Sequence, residues 1–374
     1  MIYLDYQATT PLAPEAREAM LPYLAEQFGN PHSPHRLGRR ADAAIEHARD
    51  QVNALLGGEG GRGYFTGSAT EAANWALKGL LLGEDRARRN KVVTLPIEHA
   101  CILDTLRFIE RQDVEIVTLP VRRDGLVDLE QAGELIDGRT ALVCAMLVNN
   151  EIGVIQPIAE LGQLARSAGA LLLCDAVQAF GRVPIPIDAC DMVFLSAHKL
   201  HGPKGIGYLW KRDGVELTPL LHGGGQEGGE RSGTLSPALC AGFGAAAAVA
   251  GERRETDRKH VGQLWERALG ILGDDWIING AIEARYRGNL NVRLPGLDAS
   301  RLLSEVRTVA FSSGSACASG SGRPSHVLQA IGLDRAEANS SIRLGWGRYT
   351  TTDELNEALT MIDRTARTIA GGNR

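Results

Sequence analysis

The chain has 374 residues, 44% hydrophobic and 23% charged, with 40 lysines and arginines against 45 aspartates and glutamates for a net charge of −5. That size carries a sizeable core, most simply in two domains, and the charge lacks the basic footprint of a nucleic-acid binder. The opening "MIYLDYQATTPLAPEA" has neither a basic nor an apolar leader region, so a cytoplasmic protein without a secretory signal is expected.

In chain order, short apolar runs alternate with helical patterns from about residue 40 to 250. Strands are predicted at 62–66, 91–95, 114–119, 141–148, 170–174, 191–195 and 205–210, with amphipathic stretches such as "EAANWALKGLLL" and "IAELGQLARSAG" between them. This alternation implies an α/β architecture, a mainly parallel seven-stranded sheet with helices on both faces. "GGEGGRG" (57–63) precedes a strand rather than opening a helix, and so reads as a surface turn and not a phosphate loop.

A long helical region follows over about 236–270. Its run "ALCAGFGAAAAVAG" (238–251) is too short and too rich in small residues to span a bilayer, and reads as a buried or subunit-facing helix. Strands at 289–295, 307–312 and 341–346 and a helix over 352–369 then suggest a smaller α+β C-terminal unit. The expected division is a large domain at 13–250 and a small one made of 1–12 and 251–374, carrying a glycine- and serine-rich segment at 312–322.

Cys101, Cys144, Cys174, Cys190, Cys240 and Cys317 include no CxxC pair, which argues against a disulfide framework or a zinc site. Cys144 and Cys174 lie in apolar runs and read as core fillers. Cys317 stands apart, in "SSGSACASGSG", where no large side chain is near in sequence.

In an open parallel sheet, ligands gather beyond the carboxyl ends of the strands. The informative polar residues follow that rule. "GSAT", ending at Thr70, offers helix-start N–H groups and a hydroxyl suited to a phosphate, though seen alone it reads first as an ordinary N-cap. Asp175 can cap a helix or hold a protonated ring nitrogen. Lys199, between His198 and His201, suits a Schiff-base nucleophile if its pocket is desolvated. An amine, a carboxylate and a helix N-terminus on one edge are together the three anchors of pyridoxal phosphate. His99, on the same edge, can stack on a flat cofactor and move protons, or cap a helix. Arg343 can clamp an amino-acid carboxylate through paired hydrogen bonds, or serve as an ion-pair partner.

"YLDYQATTP", "GNPHSPHRLGR", "EHACILDT", "VNNEIGV", "DAVQAFGRVPI", "SAHKLHGPKGIGYL", "GGGQEGGERSGTL", "SSGSACAS" and "SSIRLGWGRYTT" occur in that order. With these motifs the chain resembles the cysteine desulfurases of the NifS/IscS type, in the class V aminotransferase group of fold-type I pyridoxal phosphate enzymes. The resemblance implies that Lys199 bonds the cofactor, Asp175 binds its ring nitrogen and Gln178 its ring hydroxyl. It places His99 over the ring, Asn150 near substrate and cofactor, and Ala69, Thr70, Ser196 and His198 at the phosphate. Thr234 of a second copy would complete that site, making the protein a homodimer. Arg343 would bind the L-cysteine carboxylate. Cys317 would take the sulfur as a persulfide, for a sulfur-acceptor protein such as an iron–sulfur scaffold. His99 is the expected acceptor of the Cys317 proton. Gly228 and Glu230 depart from the basic residues frequent in that family. An aminotransferase or a selenocysteine lyase on the same fold is the alternative, and neither a membrane nor a nucleic-acid partner is expected.

Overall fold

A computed structural model describes residues 1–82, 89–313 and 325–371. The chain opens with β1 (Ile2–Tyr3) and two helices, α1 (Pro14–Leu24) and α2 (Arg36–Leu56). Strands and helices then alternate through β2 (Gly61–Thr66), α3 (Ala69–Leu81), β3 (Lys91–Thr94), α4 (Ala100–Glu110), β4 (Glu115–Thr118), α5 (Leu129–Leu135), β5 (Thr140–Met146), α6 (Ile158–Ala168) and β6 (Leu171–Asp175). β7 (Met192–Ser196) and β8 (Gly207–Arg212) precede the 36-residue helix α7 (Pro237–Leu272). The rest comprises β9 (Ile277–Ile278), β10 (Asn289–Arg293), α8 (Ala299–Glu305), β11 (Val309–Ala310), α9 (His326–Ala330), α10 (Arg335–Asn339), β12 (Ser341–Gly345) and α11 (Thr352–Gly371).

The seven runs expected as strands before residue 213 form one sheet, in the order β2-β8-β7-β6-β5-β3-β4. β7, β6, β5, β3 and β4 are parallel, while β8 runs antiparallel to both its neighbours. β8 begins two residues later than the sequence suggests, because Gly205, at φ +85°, is taken by the turn that reverses the chain. The central strands are apolar on both faces, as a covered parallel sheet requires. Along β5, Leu142 and Cys144 face a layer with Trp75, Leu77 and Ile102 from α3 and α4. Val143 and Ala145 face the opposite layer, with Val52, Leu161 and Phe243 from α2, α6 and α7.

The small residues of α7 let helices approach closely. A Cβ at Gly242 would press into Met20 of α1, and one at Gly244 into Ala48 of α2. The first half of α7 is thus buried within its own chain. Its second half carries Leu264 and Trp265 into another core with Leu290, Ile342, Trp346 and Leu359, over the antiparallel β12-β10-β9 sheet. Leu4, just after β1, joins that core, and β1 pairs in parallel with β11. The expected strand at 307–312 shrinks to β11, because its remaining polar end turns to bond Arg343 instead of extending the pairing. Among the described residues no helix is long and apolar enough to cross a membrane, and no cluster of three or more His, Cys, Asp or Glu side chains could hold a metal.

Candidate active site

The carboxyl ends of β2, β5, β6 and β7 and the segment after β3 open onto one cavity of about 420 Å³. Ala69, Thr70, His99, Asn150, Asp175, Gln178, Ser196, His198, Lys199 and Arg343 all line it. Met146, Val177, Phe194 and Ile206 supply apolar wall. Of the other residues singled out in the sequence, Thr234 is solvent-exposed and does not line this chain's cavity. Cys317 lies outside the described residues.

One wall is the start of α3. Ser68 caps it, its hydroxyl accepting from the Glu71 N–H at 3.1 Å, and the following first-turn N–H groups have no partner within the helix. Glu71 in turn accepts from the Gly67 N–H at 2.7 Å and pairs with Arg231 at 2.7 Å. Any side chain at Gly207 would overlap the Ser68–Ala69 peptide, so the helix start lies directly on β8.

Asp175, the last residue of β6, forms another wall. Its Oδ1 accepts from the Val177 N–H at 2.9 Å, and burial pushes its carboxyl up to about 7, against the milder opposing effects of that bond and of Lys199. Glu98 is 1% exposed, and burial, then the Asp175 charge, hold its carboxyl far above the usual range. Glu98 accepts from the Met146 N–H at 2.6 Å, while its second oxygen has no partner among the described residues. Two buried carboxyls that interact do not both ionise. Glu98 keeps its proton, and Asp175 is left as the one that titrates near neutrality.

Lys199 projects between these walls. Its Nζ donates to the carbonyls of Gln7 and Ala8 at 2.6 and 2.7 Å. The N-terminal arm is itself fastened to this segment, the Thr10 N–H and hydroxyl donating to the His198 carbonyl at 3.0 and 2.9 Å. Gln178 donates to the Gln7 carbonyl at 3.0 Å and accepts from Arg182 at 2.5 Å, and Arg182 also donates to the Lys199 carbonyl at 2.6 Å. Burial, then the Lys199 charge, lowers His198 to about 4, so its ring is neutral.

His99 combines a place on the cavity with the helix cap that its sequence position allowed. It lines the cavity and caps α4, its Nδ1 accepting from the Cys101 N–H at 3.1 Å. Burial first, and the Lys199 and His326 charges second, lower its pKa. The neutral ring then carries its proton on Nε2, and accepting another means giving up the cap. His99 is therefore set up as a hydrogen-bond donor in this arrangement, which runs against its expected role as acceptor of a thiol proton. Cys101 also lines the cavity, but burial pushes its thiol far up, which makes it a poor nucleophile.

Arg343 closes the far side, 1% exposed. Its Nη2 donates to Asp5 at 2.8 Å and to the Ser312 hydroxyl at 3.1 Å, and its Nη1 to the Asn150 carbonyl at 3.1 Å. Ser312 donates to the same Asp5 oxygen at 2.7 Å. The buried Nε has no partner among the described residues, which leaves one edge of the guanidinium with an N–H to offer. Ser312, two residues before the 314–324 stretch, and Ser325, directly after it, are both fastened beside this site. Ser312 is held as above, and Ser325 donates to the buried Glu151 carboxylate, whose other oxygen has no partner among the described residues. Sequence reasoning missed Asp5, Gln7, Glu98 and Arg182. Asp5 and Glu98 stand inside quoted motifs, and Arg182 follows Gln178 at helical i,i+4 spacing, but nothing local marked any of them as belonging here.

The family model described as aminotransferase class-V matches residues 2–357. The chain is 44% identical over 369 residues to the cysteine desulfurase IscS of Rickettsia bellii, covering 96% of this chain and 90% of that one, and 43% identical with the same coverage to the IscS of Rickettsia akari. Among solved structures it is similar to a NifS-like protein from Rickettsia africae, with 31% identity, a TM-score of 0.88 and coverage of 98% and 99%. It is also similar to SspA in complex with cysteine, with 35% identity, a TM-score of 0.83 and coverage of 94% and 100%.

Proposed function

The chain belongs to the aminotransferase class-V family, among its cysteine desulfurases, and from that membership we propose that it takes the sulfur of L-cysteine onto Cys317, releasing L-alanine. The observation that carries this reading is the meeting of Lys199, Asp175 and the start of α3 on one cavity. An amine, a buried carboxylate with high proton affinity and a helix N-terminus are the partners that the aldehyde, ring nitrogen and phosphate of pyridoxal phosphate require. Asp175 is the sharpest test of that fit, since a carboxyl raised to about 7 in a closed wall lacks a cation. Gln178, Asn150, Ser196 and His198 would complete the cofactor's surroundings, with His99 at its face. Thr234 would come from a second copy in a homodimer.

When bound, this cofactor supplies an electron sink for the pair left at the substrate Cα. The chain's own residues do the rest. Arg343 takes the substrate carboxylate on the guanidinium edge that carries the unpartnered Nε. Lys199 Nζ, oriented by the Gln7 and Ala8 carbonyls, removes the Cα proton and later returns a proton to the product. His99 donates from Nε2. The Cys317 thiolate attacks the substrate sulfur, so an S–S bond forms as the C–S bond breaks. The C–S electron pair stays with the substrate, and a proton completes its methyl group. The balance is L-cysteine plus a Cys317 thiol giving L-alanine plus a Cys317 persulfide, with no external oxidant.

The similar SspA was solved with cysteine, which favours cysteine over the amino donors of a transaminase as the substrate here. In the proposed division, the large domain at 13–250 carries the cofactor anchors. The small one, 1–12 with 251–374, brings Asp5, Arg343 and Cys317. The persulfide would pass to an acceptor protein in the cytoplasm, in iron–sulfur assembly or another sulfur-delivery route. Mass spectrometry after brief exposure to L-cysteine should find one added sulfur on Cys317. A Cys317→Ala protein that still releases sulfide at the parent rate would overturn the proposal.

A further inference from the structure

Lys199 also lines a second, larger cleft of about 930 Å³ on the other side of its segment. Eight cationic side chains and three carboxylates face this cleft, a net of +5 in a chain of net −5. The three carboxylates are already committed: Asp257 to Arg348 at 2.7 Å, Glu255 to Arg258 at 2.7 Å and Glu266 to Arg287 at 3.1 Å. The inner cations are not matched in this way. Arg285, 5% exposed, donates only to backbone carbonyls, of Ala281, Asn279 and Asn289. Arg182 donates only to Gln178 and the Lys199 carbonyl. Neither makes an ion pair among the described residues. Buried charge without a counter-charge is costly, and burial lowers both guanidinium pKa values, Arg285 to about 9. Arg254 and Lys259, exposed at the rim, extend the same positive surface outward. The rings of Tyr6 and Tyr286 supply flat wall beside the cations.

We propose that this cleft binds a multiply charged, phosphate-bearing small molecule, whose oxyanions meet Arg182 and Arg285 inside and Arg254 and Lys259 at the rim. The volume lies in the range of small-molecule sites, and clustered guanidiniums favour phosphate through paired N–H donors. Arg182 gives the site a route to the reaction centre. One guanidinium holds both the Gln178 side chain and the Lys199 carbonyl, so an anion drawing on Arg182 alters two residues that line the first cavity. That coupling rests on the function proposed above. The binding itself does not.

The test is calorimetry of the cofactor-loaded protein with pyrophosphate, ATP and citrate as separate probes, the resident phosphate site being filled. Saturable pyrophosphate binding in the micromolar to low millimolar range is expected. It should weaken tenfold or more in the rim variant Arg254→Glu with Lys259→Glu, and in Arg285→Gln if that variant folds. ATP binding more tightly than pyrophosphate would show that the ring-lined wall contributes, and equal affinities would confine recognition to the phosphates. Citrate binding more tightly than either would overturn the phosphate assignment. Absence of saturable binding, or binding unchanged in the rim variant, would overturn the site. A shift of the cofactor absorption band on pyrophosphate binding would support the route through Arg182. Binding without such a shift would remove the route and leave the site.

Discussion

Asp175→Asn, made in cofactor-free protein, isolates the titration of one buried group. The native carboxyl moves from the ordinary 3.8 to about 7. Each pH unit between those two values is worth about 1.4 kcal/mol, so the difference between folded and unfolded chains amounts to about 4 kcal/mol. The folded chain holds this proton more tightly than the unfolded one. The stabilisation is therefore complete below 3.8 and lost as pH rises through 7. About 3 kcal/mol of the loss should fall between pH 5 and pH 8. Asparagine keeps an oxygen for the Val177 N–H but cannot ionise. Urea denaturation of both proteins at the two pH values should therefore show the parent losing about 3 kcal/mol relative to the variant. Adding pyridoxal phosphate should recover most of the deficit at pH 8 in the parent alone, since a ring cation replaces the missing proton. Glu98→Gln should flatten the profile as well, because Glu98 keeps its proton in the folded chain across this range while the unfolded chain ionises. Parallel pH profiles for the parent and Asp175→Asn would refute the account of Asp175 as a buried carboxylate short of a cation.

Asp5→Ala removes the only carboxylate that, among the described residues, is bonded to the buried Arg343 and should cost about 2–4 kcal/mol. L-Alanine should then raise the melting temperature more in the variant than in the parent, because its carboxylate restores the lost charge; equal shifts would count against that role. Gly207→Ala should force the start of α3 off β8, costing about 1–3 kcal/mol, and should speed cofactor dissociation tenfold or more. Retained affinity would show that this helix end does not hold the phosphate. His99→Asn keeps a capping side chain on α4, so melting should hardly change while turnover falls about 10²–10³-fold. A matching loss of stability would reduce His99 to its cap.

The strands were legible because each is a short apolar run between turns, and because β5, β6 and β7 are buried on both faces. Their order was not, since nothing local in β8 says that it sits between β2 and β7. The proposed anchors Thr70, Asp175 and Lys199 were legible for a related reason: each is a polar residue at the end of an apolar strand or the start of a helix. The partners that hold them are far away in sequence. Asp5 and Arg343 are 338 positions apart, and Lys199 and the Gln7 carbonyl are 192 apart. A backbone carbonyl has no residue signature at all, so the clasp around Lys199 could be found only in three dimensions. His99 shows a different limit. Its neighbours in sequence fit a cap and a catalytic ring equally well, and only the Cys101 N–H on Nδ1 reveals which nitrogen is left for the cavity.

The fastening of Ser312 also sets a radius of delivery. Its hydroxyl is 3.1 Å from the guanidinium proposed to grip the substrate, and Cys317 follows five residues later, a length of chain that extends at most about 18 Å. While that fastening holds, sulfur taken onto Cys317 in the proposed reaction can be handed over only inside a sphere of that size. On that proposal a receiving protein must push its own nucleophile toward the mouth of the first cavity, and a recipient whose reactive group sits in a deep recess is excluded by shape before any chemistry begins.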